Sequence, residues 1–125
     1  ASSQDESRAV MTGIHVNLHE GTLTLVATDG RRLACVRKNV EVPLIGEESL
    51  SVVEQSITLI ELSRLIDSEG NVSFRVGRSQ AFFKFDNYSL HCRLLEGRFP
   101  DYTKVVPTQF LRTCRLGLEE FLQWI

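Results

Sequence analysis

Apolar and polar residues alternate along most of this chain, and that pattern is typical of β-strands with one buried face. The alternating runs cover residues 14–18, 23–27, 32–38, 49–53, 72–76, 83–85 and 90–94. Turn-forming residues separate many of them, and the pair Asp29-Gly30 is a strong hairpin signal because such turns need positive φ. Residues 39–48 contain Pro43 and Gly46, which predicts an edge strand followed by a loop.

One segment has the spacing of a helix instead. We predict that its apolar face consists of Ile57, Ile60, Leu62, Leu65 and Ile66, with polar residues, including Asp67, on the other side. Ser56 is placed to cap the start of this helix, and Gly70 follows its end. A helix of about three turns needs packing to be stable. We therefore predict the α+β class, with antiparallel sheet and a helix on one face.

The two ends of the chain are less regular. Residues 2–8 are polar, and the capping-box pattern Ser3-x-x-Glu6 is not followed by an apolar helical run. After an irregular loop over residues 96–102, residues 104–107 are expected to be extended and residues 110–116 to form a strand. Residues 117–125 resemble the start of a helix whose apolar side chains have no partner. We expect that the chain is a piece of something longer.

Composition narrows the class of protein. A chain of 125 residues, with 42% hydrophobic and 24% charged residues, has the length and mix of one globular domain. No apolar run approaches the ~20 residues of a membrane helix, and no secretory signal is seen at the N-terminus. The three cysteines are widely separated, which argues against a disulfide framework or a zinc site and favours a cytoplasmic location. The net charge of −2 argues against a uniformly basic nucleic-acid binder.

Catalytic motifs are not found in the sequence. It lacks a Gly-x-Ser-x-Gly elbow, a His-Glu-x-x-His pair and a phosphate-binding glycine-rich loop. Asp29 and Asp101 are better explained as turn and loop residues. We therefore predict a protein that is not an enzyme, and we expect no cofactor and no bound metal.

Two segments carry a family resemblance. Residues 26–34 (VATDGRRLA) and 95–102 (LEGRFPDY) resemble the signature segments of the bacterial sliding clamp, the beta subunit of DNA polymerase III, in its middle domain. Residues 3–13 are similar to the segment that precedes them in that family, and the predicted helix falls where the domain's second helix lies. The resemblance implies an α+β DNA clamp fold that is truncated here.

The same resemblance implies where the domains divide. Residues 1–107 would be the middle clamp domain without its first strand and most of its first helix. Residues 108–125 would be the first strand and the start of the first helix of the third domain. Two departures from the family pattern are Ala9, where many relatives have proline, and Val53-Glu54-Gln55, where many have proline and a basic residue. The second departure removes positive charge near the helix that would face DNA.

The family's function follows as an expectation. Its members form a ring-shaped homodimer around duplex DNA, without reading base sequence, and tether the polymerase by topology. Sliding requires weak, non-specific contacts with the DNA backbone. The resemblance suggests Arg8 and Arg64 as the DNA-proximal residues in this chain.

The family also binds short linear peptide motifs in a hydrophobic pocket. Its partners there are the DNA polymerase, clamp loader subunits and repair proteins. The wall carried over to this chain consists of Met11, Thr28, Gly30, Arg31, Arg32, Leu33 and Pro107. Apolar side chains would form the floor, glycine would allow close approach of the peptide, and an arginine stem would cover it. The alternative is a stand-alone β-rich peptide-binding module with no DNA role.

Overall fold

The computed structural model describes residues 1–41, 49–66 and 69–125, without the side chain of Glu6. Most of the predicted edge strand and loop of residues 39–48 therefore lies outside the described residues, as does Asp67. The described part contains two antiparallel sheets: one is formed by two consecutive hairpins, and the other adds a strand that returns to pair with its first strand. The predicted arrangement of antiparallel sheet with a helix on one face is confirmed.

The first sheet consists of β1 (Gly13–His19), β2 (Thr22–Thr28), β3 (Leu33–Asn39) and β4 (Ser49–Gln55). Its strand order is β3-β2-β1-β4. Val16 of β1 lies opposite Leu25 on one side and Val52 on the other. The turn before β2 has positive φ at both Glu20 and Gly21, and Gly30 in the next turn has φ of 90°, as hairpin turns require.

The second sheet consists of β5 (Ser73–Val76), β6 (Gln80–Phe85) and β7 (Tyr88–Arg93). Its strand order is β5-β6-β7. Turns over residues 77–80 and 86–87 connect these strands, the first closed by the Gly77 N–H, which donates to the Gln80 carbonyl at 2.8 Å. Ala81, Phe83 and Phe85 are buried on one face of this sheet.

Helix α1 (Ser56–Leu65) is present, but its buried face differs from the prediction. Thr58 and Leu62 are buried, while Ile57, Ile60 and Leu65 are exposed. The physical reason is the connection: α1 starts immediately after β4, so the strand fixes its rotation about its own axis. That rotation places Leu62 on the core cluster of the second sheet.

The predicted caps of α1 are also wrong. Ser56 is the first helical residue, and the cap position is taken by Gln55, which makes no side-chain cap hydrogen bond. The Gln55 amide donates instead to the Arg93 carbonyl at 2.8 Å and so ties β4 to β7. At the other end the helix closes at Ile66, well before Gly70.

Three predictions for the chain ends need correction or addition. A 3-10 helix over Glu6–Thr12 follows the polar start, and Asp5 caps it by accepting from the Ser7 N–H. Residues 104–107 are not extended: Tyr102–Lys104 form a second 3-10 helix, and the N–H groups of Val105 and Val106 both donate to the Tyr102 carbonyl. Residues 110–116 do not form a strand: these residues are exposed, and the structure describes no strand beside them to complete a ladder. Helix α2 (Leu118–Trp124) confirms the predicted helix at the end.

Candidate functional site

The loop between β2 and β3 is held by the Asp29 side chain. One Asp29 carboxylate oxygen accepts from the backbone N–H groups of Arg31 and Arg32, both at 3.0 Å, and the other accepts from the Arg32 Nε at 2.9 Å. These backbone hydrogen bonds are the main reason that the pKa of Asp29 is lowered to about 2. Inside the turn, Thr28 Oγ1 donates to the Arg32 carbonyl at 2.8 Å and accepts from the Gly30 N–H at 3.1 Å. The loop is therefore fixed by its own side chains.

The first 3-10 helix (Glu6–Thr12) lies beside this loop. A methyl group placed at Gly30 would be 3.4 Å from Met11 Cε and 3.5 Å from Arg8 Nη1. Gly30 has φ of 90°, which favours glycine, and its lack of a side chain leaves the loop backbone open beside Met11. Arg8 also forms an ion pair with Asp5, with 3.3 Å between Nε and Oδ2. Arg8 thus lies with the predicted pocket residues.

Leu33 connects the β2–β3 loop to the hydrophobic core of the first sheet. It is half-buried, lies opposite Thr28 in the β2–β3 ladder, and packs against the buried cluster of Val26, Val53 and Phe99. Val10, which precedes Met11, packs against the same cluster. The hairpin loop and the 3-10 helix therefore rest on a common hydrophobic support.

The remaining residues predicted to bind peptide or DNA lie at the protein surface, outside this buried cluster. Arg31 and Arg32 are exposed at the tip of the hairpin. Tyr102 packs on the same support, but Pro107 follows its 3-10 helix, is exposed and lies outside that cluster. Arg64 lies on α1, away from the hairpin in the sequence, and pairs with Glu61 at 2.8 Å.

Sequence reasoning missed two supporting residues, Val10 and Tyr102, which pack beneath the hairpin loop and the 3-10 helix against the buried cluster. It did identify Asp29 as a turn residue, and the Asp29 carboxylate accepts from the backbone N–H groups two and three residues ahead. Nothing in the local pattern pointed to Val10 or Tyr102, because their role depends on contacts between segments that are distant in the chain.

The departure from the family pattern at the start of α1 has an unexpected consequence. Glu54 is fully buried rather than facing the surface. Its Oε1 accepts from the Gln55 N–H at 3.1 Å, whereas its Oε2 has no hydrogen-bond partner. Burial is the main cause that raises the pKa of Glu54, against the opposing effects of the Cys92 thiol, the Gln55 N–H and the Thr58 hydroxyl. Glu54 therefore adds no exposed negative charge beside the helix.

Two grooves lie elsewhere on the described surface. One of about 680 Å³ lies between β1, β4 and the loop after β7, where His15 stacks on Phe99 with ring centroids 5.1 Å apart. Burial lowers the pKa of His15, whose Nε2 is 2.9 Å from Ser51 Oγ. The other, of about 430 Å³, lies on the second sheet. Neither groove is lined by a predicted peptide-binding residue. We call the area formed by Met11, Gly30, Arg31, Arg32 and Leu33 the Met11–Leu33 surface. It is open, because Gly30, Arg31 and Arg32 are exposed and Met11 and Leu33 are half-buried.

Among the residues that the structure describes, no helix is long and apolar enough to cross a membrane. The same residues contain no group of three or more histidine, cysteine, aspartate or glutamate side chains that could hold a metal ion.

Comparison with known proteins gives a consistent result. The family model for the central domain of the DNA polymerase III beta subunit matches residues 1–101. The beta sliding clamp of Synechocystis sp. PCC 6803 is 34% identical over 90% of this chain, and that of Bacillus subtilis 168 is 32% identical over 100% of it. The chain spans only about a third of the length of these relatives, 32% and 33% respectively.

Solved structures agree with the sequence comparison. The crystal structure of the DNA polymerase sliding clamp from Bacillus subtilis matches with a TM-score of 0.80 at 32% identity. The matched region covers 87% of this chain and 28% of that structure's chain. The DNA polymerase III beta chain from Streptococcus pneumoniae has a TM-score of 0.78 at 34% identity, with 88% and 29% covered. The predicted α+β clamp fold is confirmed.

Proposed function

Because this chain belongs to the DNA polymerase III beta subunit family, we propose that it functions in DNA replication as part of a ring-shaped homodimer that encircles duplex DNA. It acts without catalysis in the cytoplasm, and holds the polymerase on its template by topology. Clamp loader subunits and repair proteins are further partners that bind through short linear motifs. The observation that supports this function best is the open surface at Met11 and Leu33, which lies within the part of the chain that matches the family model.

The domain assignment is part of this proposal. Residues 1–107 form the middle clamp domain, and residues 108–125 are the first strand and the start of the first helix of the third domain. The match of the family model to residues 1–101 supports the first part. Helix α2 at Leu118–Trp124 supports the second. In the ring, residues 110–116 would become a strand because the rest of the third domain would supply the neighbouring strand.

The peptide-binding site is the Met11–Leu33 surface. Met11 and Leu33 are both half-buried, so each has apolar area left to cover a hydrophobic side chain of the peptide. Gly30 leaves its backbone open beside Met11, and the guanidinium groups of Arg31 and Arg32 can donate to peptide carbonyls. The flexible thioether of Met11 suits a site that accepts several partner sequences.

The test is binding of a fluorescent peptide that ends in a clamp-type hydrophobic motif to the full-length protein. Leu33→Asp is expected to weaken binding at least tenfold, since a carboxylate would be desolvated under the peptide. Val36→Asp is the matched control, because Val36 lies on the same strand and is 52% exposed. Met11→Asp, at a second position of the surface, guards against a folding defect in the first variant. Unchanged affinity in both surface variants, with folding verified by circular dichroism, would refute the site.

The DNA contacts are proposed separately at Arg8 and Arg64. Both side chains are exposed, and both pair with a carboxylate, so their charge is partly compensated in the absence of DNA. Each phosphate contact contributes about 0.9 to the slope of log K against log salt. Arg64→Ala should reduce that slope by about this amount for duplex DNA. Glu61→Gln, which frees Arg64, should strengthen binding, and a slope that neither variant changes would remove Arg64 from the DNA contacts.

A further inference from the structure

The second sheet has one covered face and one open face. Phe83 and Phe85 point into the core cluster that Leu62 of α1 also joins. Because side chains alternate along strands, the neighbouring positions point away from the helix. We call this open side the cationic face, formed by Ser73, Arg75, Gln80, Phe82, Lys84, Ser89, His91 and Arg93.

The strand register places an aromatic ring at the centre of the cationic face. Phe82 lies opposite Arg75 on one side and opposite His91 on the other. The ring centroids of Phe82 and His91 are 4.8 Å apart, and the two ring planes meet at 73°. Lys84, two residues along the same strand, lies opposite Ser73 and Ser89. The groove of about 430 Å³ lies over this area and includes Phe82, Arg75 and Lys84 in its lining.

The charge of the cationic face differs from that of the whole chain. Arg75, Lys84 and Arg93 are permanent cations, and none of the eight positions is an acid. Among the described residues, the ion pairs involve other side chains, so these three cations are not neutralised within the chain. A cluster of this kind on a chain of net charge −2 is a local positive field, which attracts an anionic partner.

We propose that the cationic face binds single-stranded nucleic acid. Cations that attract phosphates, combined with an aromatic ring on which a base can stack, are the features of sheet surfaces that bind single strands. An acidic peptide would form ion pairs with the cations, but its carboxylates would make no stacking contact with the Phe82 ring. Charge attraction to phosphates and stacking on a ring do not distinguish one base from another, so we expect binding that is independent of sequence.

This site is distinct from the proposed duplex and peptide sites. The cationic face lies on the side of the sheet opposite α1, which carries Arg64. Met11 and Leu33 are supported by the other sheet and its buried cluster. Variants of the cationic face therefore leave duplex encirclement and peptide docking unchanged, and the two proposals can fail separately.

The experiment measures fluorescence anisotropy of twelve-nucleotide oligo(dT) and oligo(U) with the purified protein at increasing salt. For three cations we expect a slope of log K against log salt of about −2. Phe82→Leu keeps an apolar strand residue but removes the ring, and should weaken binding about 5- to 100-fold. Lys84→Gln should reduce the slope by about 0.7. Lys38→Gln, the same change at an exposed position of β3, is the matched control and should alter neither quantity.

Binding of either oligonucleotide that depends on Phe82 and Lys84 supports the proposal, and the comparison of the two shows which sugar is accepted. A polyglutamate peptide distinguishes the other anionic partner. If that peptide binds with equal affinity to the protein and to Phe82→Leu, while the oligonucleotides do not bind, the partner is an acidic protein and the proposal is wrong. Oligonucleotide binding that is lost in Arg64→Ala but retained in Phe82→Leu would also overturn it.

Discussion

Replacing Glu54 by glutamine should stabilise the protein at neutral pH and leave its stability near pH 4 almost unchanged. The carboxyl group is fully buried, and its Oε2 has no hydrogen-bond partner. Ionising a group in this position is costly, because the charge loses water and gains too few donors in exchange. Glutamine has nearly the same shape but no charge, so the substitution isolates the cost of ionisation.

The sign of the pH dependence follows from the raised pKa of Glu54. In the unfolded chain this carboxyl has its ordinary pKa, whereas the folded protein holds the proton to higher pH. Between those two values the folded state binds more protons than the unfolded state, so the free energy of unfolding falls as pH rises. Below the unfolded pKa both states are protonated, and glutamate and glutamine should be nearly equivalent there.

The magnitude follows from the cost of ionisation, because glutamine keeps a buried polar group at this position and removes only the charge. A tenfold difference in proton affinity between the folded and unfolded states corresponds to about 1.4 kcal/mol. The gain in Glu54→Gln at pH 7–8 should therefore be at least about 1 kcal/mol. For a domain of this size, that corresponds to a rise in melting temperature of about 4 °C per kcal/mol.

Urea unfolding followed by circular dichroism at pH 4, 5.5, 7 and 8 measures this effect. The difference in free energy of unfolding between Glu54→Gln and the parent protein should grow with pH and then level off. Glu96→Gln, in an exposed loop, is the control that changes the same charge without burial. A Glu54→Gln protein that is less stable at every pH, or a difference that does not vary with pH, would refute the reasoning.

Three further predictions follow from single groups. Of the three cysteines, Cys35 and Cys114 are exposed and should react quickly with a thiol reagent at pH 8. Cys92 should react slowly, because its burial and, to a smaller extent, the neighbouring Glu54 raise the pKa of its thiol to about 12. Rapid reaction of all three cysteines would contradict this assignment. Gly97→Ala should lower the free energy of unfolding in urea by about 1–3 kcal/mol, because Gly97 has φ of 120° and a methyl group there would be 2.5 Å from Val10. The control Gly117→Ala should lower it by about 0.5 kcal/mol or less. Asp29 should titrate with a pKa of about 2 when its carboxyl is followed by NMR. Its contribution to the free energy of unfolding should therefore be present above pH 4 and lost as pH falls towards 2. An ordinary pKa would show that the loop hydrogen bonds do not persist in solution.

The hairpins were determined by the sequence itself. A turn is decided by the residues within it, and Gly30 and Asp86 adopt the positive φ that their turns require. Strand positions followed from alternation, which also identified Phe83 and Phe85 as inward-facing. In the candidate site, the hairpin residues could be located because their arrangement depends on neighbours in the chain.

Tertiary contacts decided the rest. Periodicity showed that residues 56–65 form a helix, but the connection to β4 decided that Leu62 and not Ile60 faces the core. Residues 110–116 have the composition of a strand, and a strand exists only where a neighbouring backbone completes its hydrogen bonds. Burial of Glu54, and the approach of Met11 to Gly30, join segments that are far apart in the chain. Such contacts depend on how the sheets pack, which no local pattern encodes.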